Sequence, residues 1–163
     1  MIYLKYLKSL LIHKWYVFCA GLKLGVPIWR LIVHDWSKFT PSEFLHYARN
    51  FHGERTEEVK LKFMYAWLHH ENYNPHHWGY WIQRSGKFAG EPLEIPETYV
   101  REMIADWMGA NMAYQNTWDM SEWINDNFSG KIKFHPGTWR LIHSILYDEL
   151  GYSFDVMTSR IYL

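Results

Sequence analysis

The stretch "MIYLKYLKSLLIHKWYVFCAGLKLG", residues 1–25, contains the periodicity that decides the fold class. Its apolar residues recur every three or four positions, which is the spacing of one face of an α-helix. The stripe consists of Tyr6, Leu10, His13, Val17, Ala20 and Leu24. We therefore predict a buried helix over residues 2–24 that ends at Gly25, with the polar side chain of His13 on its core-facing side.

Helix signals continue along the rest of the chain, whereas the long alternating runs expected of strands are missing. Thr40, Pro41 and Glu43 form a capping box at the start of one helix, and capping accounts for Glu43. Asn74 and Pro75 are predicted to open another. Further helices are predicted to start near residues 27, 56, 96, 121 and 136. The prediction is an all-α bundle of about six to eight helices, formed by a single domain over residues 1–163.

The composition limits the classes of partner. Lys plus Arg and Asp plus Glu both number 17, and this balance argues against general nucleic-acid binding. Cys19 is the single cysteine, which excludes an internal disulfide and fits a reducing compartment. No uninterrupted apolar run reaches the roughly 18 residues that a membrane span needs. We therefore expect a cytoplasmic protein without a membrane partner, and the sequence leaves homo-oligomer formation open.

Three polar residues lie on stripes that should face the core, namely His13, His70 and Asp106. A buried aspartate is costly unless it is paired or bound to a metal. A lone histidine on an apolar face is usually a hydrogen-bonded core residue. Three such residues on separate helices, together with the pair His34-Asp35 at a helix end, instead indicate that they converge. Helical bundles build metal centres in this way.

The segment "HHENYNPHHW", residues 69–78, holds four of the ten histidines. His70 continues the apolar face of its helix, whereas His69 points about 100° away on an ideal helix. His77 is preferred to His76 because we place it in the first turn of the next helix. Both choices stay open, since exposed histidines near a loop can also be surface residues or outer partners that orient ligands.

The order His13, His34-Asp35, histidine cluster, Asp106 resembles the His…His-Asp…Asp signature of the HD-domain superfamily of metal-dependent phosphohydrolases. The blocks "HDWSKF", "AWLHHENYNPHHW" and "EMIADW" are similar to those of a family of short phage and bacterial proteins of this kind. The resemblance covers roughly residues 10–125. It implies an all-α bundle around a metal site.

The resemblance also implies roles for individual residues. His13, His34, Asp35 and Asp106 would hold one metal, and Asp35 would bridge to a second metal held by His70 and His77. One or two divalent transition-metal ions are implied, among Mn, Fe, Zn, Ni and Co. The metals would polarise a phosphoryl oxygen and activate a water. Lys38 follows Asp35 by three positions, and in similar proteins a lysine there neutralises a phosphate.

The sequence therefore predicts a metal-dependent phosphohydrolase that acts on a nucleotide or another small phosphate ester, with Asp35 and Lys38 in catalytic roles. Two alternatives stay open. One is an HD-type di-iron oxygenase, since some proteins of the superfamily use histidines and aspartates for that chemistry and Lys38 fits them too. The other is a non-catalytic, metal-containing protein that binds a nucleotide or a partner.

Overall fold

A computed structural model describes residues 1–128 and 132–152 of the chain. This part is all-α, with seven α-helices and no β-strand, as the sequence predicts. The helices are α1 (Ile2–Lys23), α2 (Ile28–Val33), α3 (Pro41–His52), α4 (Glu57–Tyr73), α5 (Glu97–Gln115), α6 (Ser121–Phe128) and α7 (Pro136–Ser144). Within the described residues, no helix combines the length and the apolar character needed to cross a bilayer.

The pair α1 and α5 forms the centre of the bundle, and α3 packs on both α1 and α4. The two central helices approach most closely at Gly109 of α5. A Cβ atom added there would lie 2.8 Å from the Cα of Val17 and 2.6 Å from its backbone nitrogen. Only a glycine leaves room for this contact, so it fixes the distance between α1 and α5.

Two apolar clusters lie on either side of the centre of α1. The smaller cluster contains Leu10, and the larger one contains Val17. His13 lies between these two residues in sequence and is itself buried. The stripe predicted for α1 therefore faces the core over its whole length, and its one polar member falls in the gap between the two apolar clusters.

The helix predicted to open at Asn74 and Pro75 is wrong. Residues 75–77 form a turn, and only a short 3-10 helix follows at Trp78–Trp81. The side chain of Asn74 donates to the carbonyl of His70 at 2.7 Å, so it closes α4 rather than opening a new helix. The indole of Trp81 donates to the carbonyl of Pro75 at 2.7 Å and takes the place of a helical backbone partner.

The capping prediction for Glu43 is also wrong. Thr40 precedes α3 but makes no side-chain capping bond, and its hydroxyl donates instead to the carbonyl of Ser37 at 2.7 Å. Glu43 is fully buried and points into the bundle. The last predicted helix, residues 136–150, is divided into α7 and a π-helical segment, Ile145–Glu149.

Candidate metal centre

Side chains from five parts of the chain converge between the two apolar clusters. They are His13 of α1, His34 and Asp35 after α2, His70 of α4, His76 and His77 of the turn after α4, and Asp106 of α5. Asp35 adopts a left-handed backbone conformation, with φ 57° and ψ 22°. Aspartate tolerates this region better than most residues. The sharp turn there lets the side chains of both His34 and Asp35 be buried.

The first donor group consists of His13, His34, Asp35 and Asp106, which offer ligand atoms within 4.8 Å of one another. The Nε2 atom of His13 lies 3.1 Å from Oδ1 of Asp106 and 3.3 Å from Oδ2 of Asp35. The Nε2 atom of His34 lies 3.5 Å and 3.6 Å from the same two oxygens. Two imidazole nitrogens and two carboxylate oxygens therefore face a common point.

The second donor group consists of Asp35, His70, His76 and His77. Oδ1 of Asp35 lies 3.2 Å from Nε2 of His70 and 3.3 Å from Nε2 of His76. Nε2 of His77 lies 2.8 Å from Nε2 of His70. Asp35 thus belongs to both groups and directs a different oxygen to each.

These residues fit a metal ion because their ligand atoms lack other partners. Among the described residues, buried atoms without a hydrogen-bond partner include Nε2 of His13, Nε2 of His34, Nε2 of His76 and Oδ1 of Asp35. Buried polar atoms are nearly always paired in folded proteins. Imidazole nitrogens and carboxylate oxygens are ligands that suit divalent transition metals. Cations in the two donor groups would satisfy all four atoms.

Two buried glutamates hold the other side of the imidazole rings. Glu43 accepts from Nδ1 of His70 at 2.9 Å, and Glu102 accepts from Nδ1 of His34 at 3.1 Å. Glu102 also lies 3.4 Å from Nδ1 of His76. A carboxylate on Nδ1 fixes the ring orientation and leaves Nε2 for a metal. His34, His76 and Glu102 also lie close enough to count as a third donor group, and these contacts through Nδ1 account for that proximity.

Sequence reasoning missed both glutamates. Glu102 precedes Asp106 by four positions and so lies on the same face of α5, a signal that could have indicated it. Its charge is balanced by Arg30, whose Nε donates to Oε2 of Glu102 at 2.8 Å. The guanidinium of Arg30 lies 4.1 Å from the ring centroid of Tyr99. Glu43 had no comparable signal, since the capping box explained it.

The alternatives within the histidine cluster have different positions. His70 is fully buried, whereas the side chain of His69 is 35% exposed and stacks on Tyr73. Nδ1 of His69 lies 2.7 Å from Oε1 of Glu43. His69 therefore touches the outer carboxylate and belongs to neither donor group containing Asp35. His76 and His77, by contrast, both belong to the second group.

Lys38 lies inside the centre. Its Nζ atom donates to Oδ2 of Asp35 at 2.5 Å, and its side chain is largely buried. Burial acts to raise the pKa of Asp35, but the charges of His34 and Lys38 outweigh it and hold that pKa well below its usual range. Asp35 is therefore an anion that a cation of this chain already neutralises in part.

The other members of the centre also have shifted pKa values. Burial acts to raise the pKa of Asp106, but the adjacent imidazoles of His13 and His34 more than reverse this and leave it well below its usual range. Burial and the charge of His76 lower the pKa of His77 well below its ordinary value. Asp106 is therefore ionised and His77 neutral, which are the forms that bind metals.

A cleft of about 180 Å³ opens beside the centre. Its polar lining is provided by His13, Lys38, His77 and Asp106, and its walls include Tyr6, Leu10, Tyr47, Phe51, Trp67 and Tyr114. Lys38 is the one lysine or arginine among the described residues that line it. The cleft is thus a mainly aromatic space with a single basic side chain at the donor groups.

The profile of a family of unknown function (DUF5662) matches residues 3–148. The chain belongs to this family. The match begins in α1 and ends in the π-helical segment, so it includes every residue of the candidate metal centre. Neither the curated proteins nor the solved structures contain a match to the chain.

Proposed function

We propose that this DUF5662 protein is a metal-dependent phosphohydrolase that acts on a small phosphate ester. One observation carries the proposal. The fully buried Asp35 directs one carboxylate oxygen to each of two histidine-rich donor groups, and Lys38 lies on the same carboxylate at the cleft. The resemblance to HD-domain phosphohydrolases supports the same function, because those proteins place a histidine-aspartate pair at their metal.

The chemistry follows from the residues at the cleft. One or two divalent ions, when bound, polarise a phosphoryl oxygen and lower the pKa of a water nucleophile. Lys38 offsets the negative charge of the phosphate and of the transition state. Glu43 and Glu102 hold His70 and His34 through Nδ1, so the Nε2 atoms stay aligned. The aromatic walls exclude water, which strengthens each of these charge interactions.

The volume of the cleft limits the size of the substrate group that it can enclose. A volume of about 180 Å³ lies below the roughly 300–1,000 Å³ typical of sites that enclose a whole drug-sized ligand. With Lys38 as the one lysine or arginine among the described residues that line it, the cleft matches a single phosphoryl group and a short attached segment. A nucleotide would insert its phosphate end and leave the base at the rim near Trp67.

A second candidate is a di-iron oxygenase, and the cleft walls are the observation that favours it. Tyr6, Leu10 and Phe51 present aromatic and aliphatic surface rather than the several cations of a polyphosphate site. An uncharged or singly charged organic substrate fits such walls. The donor groups, rich in histidine with a shared aspartate, suit iron as well as the metals of hydrolases.

The test begins with element analysis of protein purified without a histidine tag. The loaded protein is then assayed on nucleoside monophosphates, small phosphomonoesters and a generic phosphodiester with Mn, Ni, Co, Zn or Fe. The proposal expects turnover of at least one phosphate ester that disappears in Asp35→Asn. Two equivalents of iron with an oxidation-sensitive absorption band, and no phosphate turnover with any metal, would instead favour the oxygenase.

A further inference from the structure

Besides its buried stripe, α1 carries a second apolar stripe on the opposite side of the helix. Its exposed apolar residues are Leu4, Leu11, Trp15 and Leu22, and the exposed Lys8 lies among them. Leu4 is 73% exposed and Trp15 is 62% exposed. With Leu7 and Ile12, part of this stripe lines an open groove of about 430 Å³. The core covers only one of the two apolar sides of α1, so the outer side is available for contact with a partner.

The exposed apolar surface continues on α2, which packs along the flank of α1. Lys14 donates to the carbonyl of Ile32 at 3.2 Å, and the side chain of Leu31 packs against Gly21. Large apolar side chains of α2 and the turn after it are exposed, namely Ile28, Trp29, Ile32, Val33 and Trp36. Exposed apolar side chains grouped on neighbouring helices mark protein or membrane contact sites.

The charge of the same region shows what kind of surface would cover it. Residues 1–34 contain five basic residues, Lys5, Lys8, Lys14, Lys23 and Arg30, and no aspartate or glutamate. Arg30 is paired with Glu102, and Lys14 donates to the carbonyl of Ile32. The whole chain has equal numbers of acidic and basic residues, so the remainder is acidic. Lys5, Lys8 and Lys23 are exposed on α1. The apolar face is therefore bordered by positive charge.

We infer that the outer face of α1 and α2 binds an anionic lipid surface, with α1 lying in the plane of the headgroups. An amphipathic helix that combines lysines with tryptophan and leucine binds in this way without spanning the bilayer. Lysines at the edge of the apolar stripe reach the phosphates while their methylenes cover apolar surface. The inference differs from the sequence-based expectation of no membrane partner, and it is independent of the chemistry at Asp35.

A second copy of the chain is the less favourable occupant. Two α1 helices packed through their outer stripes would bring the lysines of both together, and α1 has no carboxylate to pair with them. Like charges at a desolvated contact are destabilising. An anionic bilayer pairs with the same lysines through its headgroup phosphates. Charge complementarity thus selects the lipid surface.

The experiment is co-sedimentation of the full chain with vesicles. One set contains phosphatidylglycerol and phosphatidylcholine, and the other contains phosphatidylcholine alone. The protein is expected in the pellet with the anionic vesicles and in the supernatant with the neutral ones. High salt should release it, because screening weakens the attraction between lysines and headgroups. Recovery in the supernatant with both vesicle sets would overturn the inference.

Matched variants distinguish vesicle binding through the outer stripe of α1 from non-specific binding through any exposed apolar residue. Leu4→Glu/Leu11→Glu changes two exposed positions of the outer stripe and should lower the vesicle partition coefficient about tenfold or more. Met64→Glu/Tyr65→Glu changes two exposed apolar positions of α4 and should leave partitioning unchanged. Equal loss in both variants would assign the binding to exposed apolar residues in general. A dimer in light scattering that Leu4→Glu/Leu11→Glu converts to a monomer, without vesicle binding by the parent, would assign the face to a second copy.

Discussion

At the scale of single residues, Asp35 is the residue on which both donor groups depend. Its two oxygens face different sets of histidines, and its backbone adopts the left-handed conformation that brings His34 to the same centre. A fully buried carboxylate requires compensation by a cation or by hydrogen bonds. In this structure Lys38 provides the closest cation, at 2.5 Å from Oδ2.

Asp35→Asn should remove most of the bound metal. Asparagine has nearly the same shape and also tolerates the left-handed region, so the change removes charge and not backbone geometry. Element analysis of the purified variant measures the loss. Asp119→Asn is the control, because Asp119 is exposed and lies outside the donor groups. Full metal occupancy in Asp35→Asn would show that neither group is a metal site.

His70→Ala should reduce metal content more than His69→Ala. Nε2 of His70 lies 3.2 Å from Oδ1 of the shared Asp35, whereas Nδ1 of His69 lies 2.7 Å from Oε1 of Glu43. The two variants lose the same atoms from adjacent positions of α4, so each is the control for the other. Metal content per chain is measured on both. A greater loss in His69→Ala would mean that the outer position is the ligand.

Lys38→Met should lower the stability of the metal-free protein much more than that of the metal-bound protein. Removing one partner of a buried ion pair costs about 3–5 kcal/mol, so the metal-free variant should unfold at lower denaturant than the parent. A bound metal should restore most of that stability because it neutralises Asp35. Turnover of a phosphate ester should still fall by about 10²- to 10³-fold. Unchanged stability and turnover would show that Lys38 contributes neither to the stability of the centre nor to the reaction.

At the scale of elements, the sequence predicted the helices that have clear periodicity. The buried stripe of α1 and the inward direction of His13 followed from spacing alone, since apolar residues every three or four positions define a face. The turn after α4 did not follow from local spacing. The Asn74 side chain donates to Ser37, which is distant in sequence, and to the carbonyl of His70 in the preceding helix, so it ends α4 and does not begin a new helix. The same limit concealed Glu43, whose partner His70 lies 27 positions away.

Gly109→Ala should destabilise the protein and weaken metal binding. Alanine favours a helix by about 1 kcal/mol over glycine, so any loss of stability reports on packing. The new Cβ would meet the backbone of Val17, and overpacking of this kind costs about 1–3 kcal/mol. Relief of this clash should move α1 away from α5 about one helical turn from His13 and Asp106. Chemical denaturation and metal titration measure the two effects.

Gly21→Ala is the matched control for that contact. Its Cβ would meet the far end of the Leu31 side chain, which can rotate away, rather than the backbone of a neighbouring helix. A smaller loss of stability and unchanged metal affinity are expected. Equal losses of metal affinity in the two variants would show that the distance between α1 and α5 does not control the centre.

At the scale of the whole molecule, the centre is the point at which distant parts of the chain meet. His13 of α1 and Asp106 of α5 lie far apart in the sequence, and His70 and His77 come from α4 and the turn after it. Four buried carboxylates, Asp35, Glu43, Glu102 and Asp106, surround the site. Lys38 and Arg30 balance part of that charge. The stability of the bundle is therefore expected to depend on bound cations.

Removal of metal should lower the melting temperature of the whole domain in one transition. A ligand present at about 1,000 times its Kd adds about 4 kcal/mol to the free energy of unfolding. For a chain of this length each kcal/mol shifts Tm by about 2–4 °C. Chelation should therefore lower Tm by roughly 8–16 °C, and stoichiometric metal should restore it. Asp35→Asn is the control, since its Tm should not respond to chelator. A parent protein whose Tm is the same with metal and with chelator would show that the donor groups hold no ion.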